Sequence, residues 1–159
     1  VSTSSRRAAT FFLALALTII WPADARAKTI IIDDSGSQAL EPAVTMRWKS
    51  AAPARSATGN LMIGTTTIRV RINVMPWLHH SGHIYLALPV QKPGPIGLSW
   101  TTQGRFLPGQ LVSGNRVLVY AGPITMPFME DTLTFQFSVN GALLGRSVPV
   151  TYRFEMDEG

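Results

Sequence analysis

Three imidazoles within five residues, His79-His80-Ser81-Gly82-His83, have the most evident capacity for chemistry in this chain. Neutral imidazoles ligate copper, zinc or nickel, and Met75 nearby offers a soft thioether for Cu(I). Adjacent residues of a strand point to opposite faces, so His79 and His80 chelate together only where the backbone turns. Pro76, Ser81 and Gly82 supply turn chemistry there. One expectation is therefore a copper or zinc site of His79, His80 and His83. The other is a polar loop from which His83 enters the next strand.

The acids come in adjacent pairs, which diverge on a strand and do not face each other. Asp33-Asp34-Ser35-Gly36-Ser37 reads as a turn whose Asp and Ser side chains bond backbone amides. It is short of the oxygen ligands calcium needs. Glu130-Asp131 stands before a strand, and Glu155-Met156-Asp157-Glu158 reads as a solvated terminus. No Gly-x-Ser-x-Gly elbow, P-loop or dinucleotide fingerprint occurs. Nothing sets a Ser, a His and an acid together, so the chain is not expected to be an enzyme. Trp77, Tyr85, Trp100 and Tyr120 are the aromatics that would form a sugar-stacking platform. Trp100 and Tyr120 fit core positions. Trp77, after Pro76, and Tyr85 are the exposed pair, suited to a protein interface.

These side chains sit on segments that alternate with period two, the signature of half-buried strands. Ile68, Val70, Ile72 and Val74 alternate with Arg69, Arg71 and Asn73. Leu133, Phe135, Phe137 and Val139 alternate with Thr132, Thr134, Gln136 and Ser138, and Val148, Val150, Tyr152 and Phe154 with Pro149, Thr151 and Arg153. Val44, Met46 and Trp48, then Ile84, Leu86 and Leu88, then Leu98 and Trp100, make three more sets, and Thr29–Ile32 a first strand. Val117–Tyr120 is continuously apolar, as in a central strand. Asn140-Gly141 predicts a tight hairpin, and Pro149 puts the last strand at an edge or a bulge. Trp48 and Trp100 are expected as core anchors. The fold class that follows is all-β, an antiparallel two-sheet sandwich of immunoglobulin-like type, with a closed barrel as the alternative.

Residues 1–27 read as an export signal ahead of this domain. Arg6-Arg7 precede 14 uncharged residues, Ala8–Trp21, and Pro22 ends the run. Ala25-Arg26-Ala27 offers the small-x-small pattern of signal cleavage. The run is shorter than the ~20 residues a spanning helix needs, so no membrane span is expected after removal of the signal. The remainder, 28–159, is 132 residues, one domain able to bury a core, with a flexible loop over 49–59. Losing Arg6, Arg7, Arg26 and Asp24 leaves 11 basic against 8 acidic residues, so the net charge falls from +5 to +3. That balance, without a basic run, argues against nucleic acid as a partner. There is no cysteine, hence no disulfide or thiolate metal site, and with Lys28 after the cut no cysteine-linked lipoprotein anchor is expected.

An exported, cysteine-free, strand-rich domain without catalytic residues is expected to be a protein-binding or structural module. It would be periplasmic or secreted to the cell surface, with envelope or surface proteins, or itself, as partners. Sandwiches leave edge strands to which a partner can add a strand. Segment 28–49, with Val44 and Met46 as interface residues, would pack on its own domain or be donated to a neighbour. In size, signal and strand content the chain resembles pilus subunits assembled by strand exchange, which implies a fimbrial assembly. It departs from them in lacking the disulfide they usually carry. Metal binding by the histidine loop and carbohydrate binding are the alternative functions.

Overall fold

The computed structural model describes residues 28–41, 43–49, 60–92, 94–143 and 149–158. Residues 1–27 and 50–59, read above as an export signal and part of a flexible loop, lie outside them, as does Val148. Among the described residues ten strands build two antiparallel sheets packed as a sandwich. One sheet has the order β1(Lys28–Ile32), β10(Arg153–Glu158), β5(Ser81–Leu88), β8(Asn115–Pro123). The other runs β2(Gln38–Ala39), β4(Leu61–Asn73), β9(Phe128–Asn140), β6(Ile96–Thr102), β7(Gly109–Val112), and β3(Arg47–Trp48) also pairs with β4.

The alternating residues are the core. Ile68, Val70, Ile72 and Val74 meet Ile84, Leu86, Leu88, Leu98, Trp100, Leu133, Phe135, Phe137, Val139 and Phe154 between the sheets. Removing each such side chain from water is worth about 1.5–3 kcal/mol, which substitutes for the missing disulfide. β4 and β9 are 13 residues each and pair along their full length, from Leu61↔Asn140 to Asn73↔Phe128. That ladder is the spine of the larger sheet.

Several local expectations yield to pairing at a distance. Asn140-Gly141 makes no hairpin; the chain turns through a 3-10 segment, Gly141–Leu143, and crosses to the other sheet. The last strand is not at an edge, because β10 lies between β1 and β5 and Pro149 precedes it. The apolar run Val117–Tyr120 belongs to β8, which among the described residues pairs with β5 alone. Val119 is fully buried in the core, Val117 and Tyr120 pack against it, and the loop after β6 meets the strand's other edge, the Leu107 amide bonding the Val119 carbonyl. Trp48 is no core anchor: it is 51% exposed and lies over Gly141 and Met62. Trp100 is one, buried with its indole Nε1 donating to the Leu107 carbonyl at 2.8 Å.

Candidate functional site

The predicted site residues do not converge. His79 has a left-handed φ of 68°, and its amide donates to the Ile124 carbonyl at 2.8 Å. His80 is exposed in the same turn, its carbonyl bonded by the Ile124 amide, and His83 projects outward from β5. Among the described residues no three His, Asp or Glu side chains gather closely enough to hold a metal ion. Trp77 is half-buried against the core, and its buried Nε1 has no hydrogen-bond partner among the described residues. The Tyr85 ring is faced by the Arg116 guanidinium at 4.4 Å. Val44 and Met46 pack on the core where Gly64 leaves room; a Cβ on Gly64 would collide with both. The 44–48 segment is thus seated on its own β4, with Arg47↔Ile63 and Trp48↔Met62 in register.

Two acids read as peripheral are buried. Asp131, inside β9, is 6% exposed and accepts from the backbone amides of Thr132 at 2.7 Å, Phe106 at 2.8 Å and Gln103 at 3.3 Å. It shapes the loop that covers β8. Gly104 suits that loop, since a Cβ there would strike the Asp131 carboxylate. Glu155 is 5% exposed although it faces outward from β10. The acidic run Glu155–Glu158 is therefore not a solvated tail but part of an inner strand.

Around Glu155 the outer face of the smaller sheet carries a charge network. Arg116 on β8 reaches across β5 and donates to both oxygens of Asp157, Nη1–Oδ1 at 2.8 Å and Nη2–Oδ2 at 2.9 Å. It lies 3.4 Å from Glu155 Oε2, while Arg153 Nε donates to Glu155 Oε1 at 2.7 Å. Such a two-point guanidinium–carboxylate pair is geometrically specific. Ala87, in register with both Arg116 and Arg153, is only 5% exposed on the outward phase, so its small side chain lets the network pass above it. The Arg116 hydrogen bonds, with a smaller contribution from Thr29, hold the Asp157 carboxyl below the usual carboxylate range.

The network ends on β1. Thr29 Oγ1 donates to Asp157 Oδ1 at 2.8 Å, and Arg116 Nη1 lies 3.4 Å from the same hydroxyl. On the inner face, Ile32 is buried and Ile30 half-buried, opposite Phe154 and Met156 in register. Ile31 is 61% exposed beside Glu155. β1 pairs with β10 alone, so its other edge is open among the described residues. Beyond it the chain turns at once. The Ser37 amide bonds the Asp34 carbonyl at 2.8 Å, and the Ser35 amide bonds the Asp33 carboxylate at 3.0 Å, as the Asp-Ser-Gly sequence implies. The next two elements, β2 and β3, are two residues each.

A five-residue strand thus occupies a prepared seat on β10, fixed by two inward aliphatic side chains and one outward hydroxyl. No helix of the described residues is long and apolar enough to cross a membrane. Comparison with known protein families, curated proteins and solved structures finds no match to this chain.

Proposed function

We propose that this protein is a non-catalytic, exported β-sandwich module that binds other envelope or surface proteins, or further copies of itself, by strand addition at β10. The carrying observation is that β10, an inner strand by composition, has one neighbour supplied by the short, singly paired β1. Removing β1 would bare a β10 ladder edge and the Phe154–Met156 side of the core, and an incoming strand would restore both. Its amphipathic pattern, with Ile30 and Ile32 inward, is what such a strand requires. The immunoglobulin-like type is the finer reading of the sandwich, supported by the crossing of the chain from β1 in one sheet to β2 in the other. The compartment, periplasm or cell surface, is supported by the signal-like residues 1–27, and the fimbrial setting by the strand-exchange logic alone.

The test uses the chain's lack of native cysteine. Lys28 and Glu158 are partners in register, so Lys28→Cys with Glu158→Cys gives a reversible lock of β1 onto β10. With oxidation carried out at high dilution, where the chain is monomeric, light scattering after size exclusion over a rising concentration series should show oligomers of the reduced variant and a monomer of the oxidised one. Identical profiles in the two redox states would refute strand addition as the mode of assembly.

A further inference from the structure

We propose that Asp157 and Arg116 form a reader that selects the strand seated on β10, and that the strand it selects is residues 28–32 of a second copy of this chain. The inference rests on the strand addition proposed above and goes beyond it in naming both the partner and the selecting groups. β10 offers an incoming strand two kinds of contact. The inner face supplies apolar space opposite Phe154 and Met156, which any pair of branched aliphatic residues two apart would fill. That contact selects on size and shape and reads no polar chemistry.

The outer face is more demanding. Asp157 is locked by Arg116 in a two-point pair, and one of its oxygens, Oδ1, also takes the hydroxyl proton of Thr29. The carboxylate cannot swing away to avoid an apolar side chain in that position without breaking the pair. A strand with Val in place of Thr would cover Oδ1 and leave it one donor short. A strand with an acid there would meet a second negative charge. Tyr85, beneath the guanidinium, keeps Arg116 extended across β5, so the reader is built before any strand arrives. The strand that fits carries a hydroxyl residue one and three places ahead of two inward branched aliphatics. Thr29, Ile30 and Ile32 are that pattern.

The second copy is favoured as donor because its own residues 28–32 carry the pattern the seat fits. Asp33 is bridged to Asn73, and Ser37 Oγ, Gln38, Ala39 and the Leu40 amide hold the following segment on β4, so the part that exchanges is β1 alone, hinged between Ile32 and Asp33. Exchange of a terminal element between identical chains presents the same contacts in trans that it makes in cis, so it is a low-cost route to assembly.

Two donor peptides of residues 28–33, Lys28→Cys and Lys28→Cys/Thr29→Val, which have no seat of their own to leave, compete in equal amounts for a Glu158→Cys acceptor chain under mild oxidation; a full-length Lys28→Cys chain is mixed with the same acceptor in parallel, and the mixed disulfides are weighed by mass spectrometry. The threonine donor should capture the acceptor about tenfold more often, the ratio that one charge-assisted hydrogen bond supports. A Thr29→Ser donor, which keeps the hydroxyl, should compete as the threonine donor does. Equal capture by threonine and valine donors would overturn the reader while leaving strand exchange in place. No mixed disulfide between separate chains would overturn exchange between copies altogether.

Discussion

At the scale of single residues, the carboxylates of Asp131 and Asp157 have the most closely defined polar partners among the described residues. Asp131 accepts three backbone amides from a loop that has no regular ladder of its own. Asp131→Ala should therefore cost about 3 kcal/mol in denaturant unfolding, because buried amides lose their acceptor. It should also raise hydrogen exchange over 103–107. Asp157 supplies a pH signature. Its carboxyl titrates lower in the folded state than in the unfolded chain, first through the Arg116 hydrogen bond. The stabilisation is thus fully present above the unfolded value near ~4 and is lost as pH falls through the folded one. Asp157→Asn should be less stable than the parent at pH 7, and the gap should close toward pH 2 in urea titrations. A constant gap across that range would contradict the ion pair. Tyr152 makes no such contribution at neutral pH, since burial pushes its hydroxyl up to about 12.

Elements divide into those that local pattern foretells and those that it does not. The inward phase of β4, β5, β6 and β9 was legible, because alternation alone decides which side of a strand is apolar. Asp33–Ser37 was legible as a turn because its hydrogen bonds are made within the turn itself. Partner choice was not legible. Asn140-Gly141 has hairpin chemistry, yet β9 is paired on both sides by β4 and β6, which leaves no edge for the following strand. Glu155 and Asp157 looked like a solvated tail because the arginine that neutralises them, Arg116, is about 40 residues away in sequence. The histidine spacing was visible, but the turn at His79 serves the Ile124 backbone, and among the described residues no three His, Asp or Glu side chains gather there. Gly64 is the other element-scale device. Its missing Cβ admits Val44 and Met46, so Gly64→Ala should lower stability by about 1–3 kcal/mol and loosen the 44–48 segment in hydrogen exchange. An unchanged protection pattern there would show that the close packing on Gly64 is not what seats the segment.

For the whole molecule, the organising fact is that two packed sheets leave edges, and the chain treats them differently. The β8 edge is covered by the loop that Asp131 holds. The seat on β10 is filled by a five-residue strand that ends at the Asp33↔Asn73 bridge, secured by apolar contacts inside and by Thr29, Asp157 and Arg116 outside. The composition, without cysteine, leaves that strand no covalent attachment other than the backbone. The same residues that complete the sandwich in one chain are the ones suited to complete it in another. This account stands or falls on whether the seat takes a strand from solution. The direct measurement is uptake of a fluorescent peptide of residues 28–33 by the Lys28→Cys/Glu158→Cys chain, followed by anisotropy in the reduced and oxidised states. The account predicts saturable binding to the reduced chain and none to the oxidised one. Equal binding in both states, or none in the reduced state, would contradict it.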